Sequence, residues 1–321
     1  MTGMIVSRLI QLPLVLLAIY TATFVLAWAI PGDAVAGDED KLIDPAVLAS
    51  IKARYALDDP ARFYVEYLDG ATGLRWARRS LAGEDAPGPV FDLGPSFTHA
   101  DWTVNEILAS SLGVSITLGL LAVGIALVIG LTAGVIGALR PGSAIDAITL
   151  VVALVGVSLP SFVNGTALLM VFPVWLGLGT VGGWGTFADL WLPAFTLSLP
   201  YAAYVARLTR LGMIDALRAD HVRTARAKGC SAWRVVMKHA LKNAFLPVLS
   251  YLGPACAFAM TGSFVVEKVF NVPGVGQHFV DAVLGKDLFV IMGVTLVFSA
   301  LIVTLNLLVD VLYRVVDPRI E

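Results

Sequence analysis

The chain has 321 residues, 58% of them hydrophobic and only 14% charged, with a formal net charge of −2. Soluble domains carry nearer a quarter charged residues, so a water-soluble fold of this length could not bury so much apolar surface. The near-neutral balance excludes a nucleic-acid partner recognised through bulk charge. Of the two cysteines, Cys230 stands in a basic segment and Cys256 in an apolar run, so no disulfide between them is expected. No Cys/His cluster has metal-ligand spacing, and His99, His221, His239 and His278 are too scattered for a catalytic triad or a zinc site.

Leu9 to Ile30 is free of charge and long enough for a crossing of about 20 residues. Ala27-Trp28-Ala29 looks like a signal-peptidase site, but the apolar run exceeds the roughly 7–15 residues of a signal core, so residues 1–30 read as a retained first helix. Residues 31–106 follow as a polar segment with fourteen acids and seven bases. Within it Asp44 to Leu68 reads as helical, with Leu48, Ile51, Tyr55 and Leu57 as apolar positions and Pro60 dividing it into two short helices. Docking a partner and capping a pore are both open to this segment.

Ile107 to Leu139 is uncharged and places a second span at 113–138, where Gly130 and Gly134 form a small-xxx-small pair for close helix packing, within the chain or against a partner. Ala147 to Ala188 is also uncharged; a third span at 147–172 leaves the glycine-rich 177–185 as an exit loop. Gly177, Gly179 and Gly182 match the letters of a dinucleotide motif but lack its strand–helix setting. The Asn164-Gly-Thr166 sequon falls inside a span and carries no meaning there. A fourth span at 190–208 contains Pro193 and Pro200, which should bend it. Spans five and six fall at 246–266 and 289–312. The reading is an all-α membrane protein of about six spans: an extracytoplasmic segment at 31–106, a five-helix core at 107–313 and a tail at 314–321. Asn164 and Asn306 are candidates for polar groups facing other helices or a cavity.

Orientation follows from lysine and arginine. Arg207 to Lys242 holds nine bases and two acids and belongs in the cytoplasm. With six spans, Arg8, Arg140, Arg314 and Arg319 fall on the same side, so both termini face inward and 31–106 faces out. Asp310 and Arg314 have the i,i+4 spacing of an interfacial ion pair. The spans otherwise hold few ionisable groups, which argues against a proton- or sodium-coupled carrier. A self-sufficient secondary carrier or channel, moving cargo alone, is the alternative; a membrane-anchored scaffold acting through 31–106 is a third.

The loop at 207–245 is the most informative segment. Arg223, Thr224, Ala225, Arg226, Ala227 and Lys228 are set for a short helix that Gly229 ends in a left-handed conformation. Ser231 is placed to cap the next helix, which sets Arg234, Lys238 and Lys242 on one face. Trp233, Met237 and Leu241 repeat on the neighbouring face, beside Val236 and Ala240. Small residues before a glycine turn allow a partner's surface close approach, and the cations suit acidic groups or anionic lipid. On physics alone this could equally be a basic helix that only fixes topology.

The residues Val222–Gly229 (VRTARAKG) resemble the cytoplasmic "EAA" loop of permease subunits of bacterial ATP-binding-cassette importers, in the variant of peptide importers. Lys238–Asn243 followed by Leu246-Pro247-Val248 fits the same pattern, as do Glu267–Gly276 and Asp310–Arg319. Ala29–Asp33, Tyr55–Pro60 and Asp92–Phe97 extend the likeness to nearly the whole chain, and the B-type permease of oligopeptide and dipeptide importers is the nearest pattern. Arg223-Thr224-Ala225 stands where the loop's name-giving Glu-Ala-Ala would be, a departure usual in the peptide branch. The resemblance implies a type I importer permease in the bacterial inner membrane. Its partners would be a second homologous permease, two ATPase subunits and an extracytoplasmic peptide-binding protein. It implies a coupling helix over 223–229 that docks on an ATPase, with Ala225 and Gly229 at the contact and Arg223, Arg226 and Lys228 around it. No cofactor would be bound by this chain and no catalysis performed by it, ATP-Mg residing on the partners, since no G-x-x-x-x-G-K-[ST] occurs. Peptide-type permeases also serve nickel, glutathione and other small solutes, so the resemblance leaves cargo open within that set.

Overall fold

The computed structural model describes residues 2–32, 45–83, 88–99, 101–261 and 263–316. Side chains at 2–10, 45, 310 and 312–316 lie outside that description, and with them the expected Asp310–Arg314 pair. Asp33 and Asp317–Arg319 of the quoted motifs also lie outside. Among the described residues no strand forms, and one isolated bridge pairs Pro95 with Thr103. The chain divides into two compact units, residues 1–114 with 274–303 and residues 115–273 with 304–321.

The first unit begins with α1 (Thr2–Ala29), the expected first span. The two short helices expected over Asp44–Leu68 form as α2 (Pro45–Arg54) and α3 (Pro60–Ala71), and a third, α4 (Leu74–Leu81), follows beyond that stretch. Pro60 opens α3 rather than interrupting a helix. It occupies the first helical position, where its missing N–H is not needed, and the Asp59 side chain accepts from the backbone N–H groups of Ala61 and Arg62 at 3.1 Å. An aromatic core ties α3 to α1: Tyr20 stacks on Tyr67, Phe24 on Phe63, and the Tyr20 hydroxyl donates to the carbonyl of Tyr64 at 2.6 Å. Phe289, in α14 (Leu288–Val316), meets Tyr55, Phe63, Tyr67 and Phe97 in the same cluster. Between these elements Gly94, at φ 82°, leaves the room that the Phe289 ring occupies; a Cβ there would fall 2.2 Å from that ring. α13 (Val275–Leu284) completes the unit.

Asp287 organises the entry to α14. It is fully buried; its Oδ2 accepts from the Ser96 hydroxyl and the backbone N–H groups of Phe97 and Thr98 at 2.7–2.9 Å. Its Oδ1 accepts from the N–H of Val290 at 3.2 Å, the geometry of a helix cap. Nothing in the local pattern of the sequence announces this carboxyl group, because all but one of its partners lie about 190 residues away.

The second unit contains most of α5 (Val104–Leu139), which is longer than the 113–138 expected. The expected third span is broken. α6 (Ala144–Ser158) stops before Pro160, which drives Leu159 into an extended conformation, and α7 (Ser161–Leu169) with a π-helical turn at Met170–Trp175 departs at 104°. α8 (Phe187–Arg218) runs continuously past both Pro193 and Pro200 and is much longer than 190–208. α11 (Leu241–Met260) ends before the expected 266, and a separate short helix, α12 (Phe264–Val269), follows. Among the described residues four helices are long and apolar enough to cross a membrane, and five if the bent α6–α7 pair is counted as one span. α8, about 48 Å long at 1.5 Å per residue, is the sixth of the expected set but carries Asp189, Arg207, Arg210, Asp215 and Arg218.

Small residues bring these helices together. A Cβ on Gly130 would lie 2.6 Å from the Val205 side chain and 2.7 Å from the Ala202 carbonyl, and one on Gly134 2.6 Å from the carbonyl of Ala206. The pair therefore serves α5–α8 packing within the chain. Gly130→Ala is expected to destabilise the unit by about 1–3 kcal/mol, the usual penalty of overpacking. Denaturant-induced unfolding in detergent micelles checks this, and an unchanged midpoint would show that the helices part freely. The second unit also holds buried acids that hydropathy does not reveal. Asp146 at the start of α6 accepts a two-pronged bond from Arg210 of α8 at 2.5 and 2.8 Å. Glu267 of α12, fully buried, accepts from the Ser115 hydroxyl of α5 at 2.9 Å.

Candidate functional site: the joint at 207–245

The basic segment folds as a short arm set on two long helices. α9 (Asp220–Ala227) leaves the end of α8 through Ala219. Gly229 follows at φ 76°, and a Cβ added to it would meet nothing within 4 Å, so glycine is required here by backbone conformation and not by crowding. Two bonds close the turn: Cys230 N–H donates to the carbonyl of Ala225 at 3.2 Å, and Gly229 N–H to that of Arg226 at 2.9 Å. This is the paired closure of a Schellman ending.

Ser231 stands at the start of α10 (Ala232–Arg234) but its side chain makes no capping bond. A π-helical turn, Val235–Ala240, leads into α11. This wider turn adds to the residues per revolution and breaks the strict four-residue register expected of Arg234, Lys238 and Lys242, although all three are exposed. It also changes which apolar residues turn inward. Val235, Val236, Ala240 and Ala244 are buried, whereas Trp233 is 73% and Met237 41% exposed.

Ala225, expected at a partner's contact, is instead turned inward by packing. It is 5% exposed and packs with Val222, Met213, Ala216, Val235, Val236 and Ala240 in one core cluster. Its small size lets α9 approach the chain's own helices. The open surface of the arm consists of Arg223, Thr224, Arg226, Ala227, Lys228 and Gly229. Asp220 lies 3.5 Å from Arg223 on that surface. A cavity of about 290 Å³ lies at the base of the arm, lined by Leu217, Arg226, Cys230, Val235 and Val236 among others.

A polar tie that sequence reasoning missed fastens the arm. His221 Nε2 lies 3.1 Å from the carbonyl oxygen of His239 and 3.2 Å from Asn243 Nδ2; as the tautomer dictates it donates to the first or accepts from the second, tying α9 to the π-turn or to the first turn of α11. The relevant spacings, 18 and 22 residues, match no helical period, so no pattern could have paired them. The arm is thus held at Val222 and Ala225 by packing, at His221 by a hydrogen bond, and at Gly229 by a closed turn. It presents cations outward on a rigid mount.

Comparison with known proteins places the chain. The family of binding-protein-dependent transport system inner membrane components matches residues 126–321, and the N-terminal family of the same membrane components matches residues 1–119. The chain belongs to this family. It is 40% identical to the oligopeptide transport system permease protein OppB of Salmonella typhimurium, over all of both chains. It is 37% identical to the dipeptide transport system permease protein DppB of Bacillus subtilis, over all of this chain and 98% of that one. A solved structure titled as inward-facing conformations of the MetNI methionine ABC transporter matches with a TM-score of 0.56 at 19% identity, covering 65% of this chain and 96% of that one. That likeness concerns the fold alone, which is of the type I importer permease class. The resemblance drawn from the motif at 222–229 and its companions is borne out over the full length of the permease, and with it a multi-pass inner-membrane protein.

Proposed function

We propose that this permease is the transmembrane subunit of an ATP-driven, binding-protein-dependent importer of oligopeptides or dipeptides, supplying half of the translocation path. The observation that carries the reading is the joint: a short helix rigidly tied to α8 and α11, with Arg223, Arg226 and Lys228 exposed on it. Such an arm transmits a push on its outer surface into two long helices at once. Its partner would be an ATPase subunit holding ATP-Mg, two of which, closing together, would move the arms of this chain and of a second permease. The excess of cations at 207–242 sets the arm and both termini in the cytoplasm and residues 31–106 outside, where a peptide-binding protein would deliver cargo. The chain itself carries out no chemistry in this scheme. Full-length similarity to peptide permeases supports peptide cargo over nickel or glutathione.

The test is affinity purification in mild detergent followed by reconstitution. Co-purification of an ATPase, and uptake of labelled peptide into liposomes only with ATP and a binding protein, is the expected result. Uptake by the chain alone, driven by an ion gradient, would overturn the proposal. Competition by glutathione or nickel but not by peptides would overturn the cargo assignment only.

A further inference from the structure

The first unit brings together two histidines that are 179 residues apart in sequence. His99 follows the loop that Asp287 clamps, and His278 lies in the first turn of α13. His278 Nδ1 and His99 Nε2 are 3.1 Å apart, and their rings meet nearly at right angles with centroids 4.9 Å apart. Both side chains are only partly buried, so solvent and small ions reach them.

Two imidazole nitrogens at that separation share one proton when they form a hydrogen bond. They also stand close to the spacing of two ligands on one tetrahedral zinc ion: with zinc–nitrogen bonds of about 2.0–2.1 Å, the ligand atoms lie about 3.3 Å apart. We propose that His99 and His278 form a binding site for a borderline divalent cation of the zinc type, the ion replacing the proton between them. Among the described residues no group of three or more His, Cys, Asp or Glu is arranged around a metal position, so the two imidazoles are the protein's share and water completes the shell.

Three features suit the pair to this task. First, the backbone that carries His99 is anchored. Its N–H donates to the Ser96 hydroxyl at 3.0 Å, which in turn donates to Asp287 at 2.7 Å, while Phe97 and Thr98 are held by the same carboxyl group. A ligand held this way loses little freedom on binding. Second, neither imidazole is fully buried, so an ion reaches the facing nitrogens without unfolding the unit. Third, Asp281 follows His278 by nearly one helical turn and adds negative charge beside the ion. Binding would staple α13 to the loop before α5. If the orientation proposed above holds, that staple lies outside the membrane, where it would restrain the importer when zinc is present.

Calorimetric titration of zinc chloride into the detergent-purified full-length chain tests the site without reference to transport. The expected result is one zinc per chain, with affinity at least about tenfold weaker in His99→Gln, His278→Gln and the double variant, and unchanged in His221→Gln. Equal affinity in the double variant, with its folded state verified by gel filtration, would overturn the proposal. Cobalt(II) titrated into the unmodified chain keeps the test independent of the variants. Visible bands of four-coordinate cobalt and an X-ray absorption shell containing two imidazoles are expected, and a shell of oxygen atoms alone would equally overturn it.

Discussion

Gly229→Val is expected to leave the permease inserted and assembled while lowering peptide uptake by at least about tenfold, because a β-branched residue resists the left-handed conformation by roughly 1–3 kcal/mol. The native φ is 76° and the space around the position is empty, so the penalty is conformational rather than steric. It is relieved when the turn opens. Opening breaks the Cys230–Ala225 and Gly229–Arg226 bonds that end α9, and the arm then yields under a push instead of passing it to α8 and α11. Gly83 supplies a matched control, with the same φ of 76° and the same empty surroundings, but in the segment after α4. Gly83→Val should carry a similar local strain and leave uptake intact. Uptake and ATP hydrolysis measured together in liposomes decide the matter: hydrolysis should continue in the Gly229 variant with little transport. Normal uptake in that variant would remove the hinge from the mechanism, and equal losses in both variants would point to general instability.

Asp287→Ala is expected to be the most damaging single change to stability, at about 3–5 kcal/mol, since it strands several buried donors at once. The Ser96 hydroxyl and the N–H groups of Phe97 and Thr98 lose their shared acceptor, and α14 loses its cap at Val290. Asp287→Asn keeps one acceptor oxygen and should lose clearly less. Unfolding of the purified chain in detergent micelles, followed by helical circular dichroism, measures both. If the two variants unfold with the native protein, the clamp contributes nothing to the unit. The same experiment bears on His99, whose position depends on the loop that Asp287 holds.

Several elements were legible because their signals are local. Six long apolar stretches, the basic bias at 207–242, the start of α3 near Pro60 and the helix-ending glycine at 229 each rest on neighbouring residues. The misreadings share a different cause. Pro160 breaks the third span although the hydropathy runs on unbroken, because backbone geometry and not apolarity ends that helix. Ala225 turned inward because the packing of α9 on its own chain, not local spacing, decides which face is covered, and the π-turn at 235–240 upsets the four-residue register expected of Arg234, Lys238 and Lys242. α4 was missed because Leu74–Leu81 is short and strongly basic, with no buried residue to mark an inward face.

By itself the sequence determined that the chain lives in lipid, crosses it several times, and keeps a cationic, glycine-ended helix on one side. Those properties are sums over neighbouring residues, and solvent reads them before any tertiary contact forms. Only the tertiary structure decided which residues of that helix face outward, where the buried acids Asp146, Glu267 and Asp287 find partners, and that His99 meets His278. Each of those outcomes depends on groups far apart in the chain, whose encounter is set by how whole helices pack.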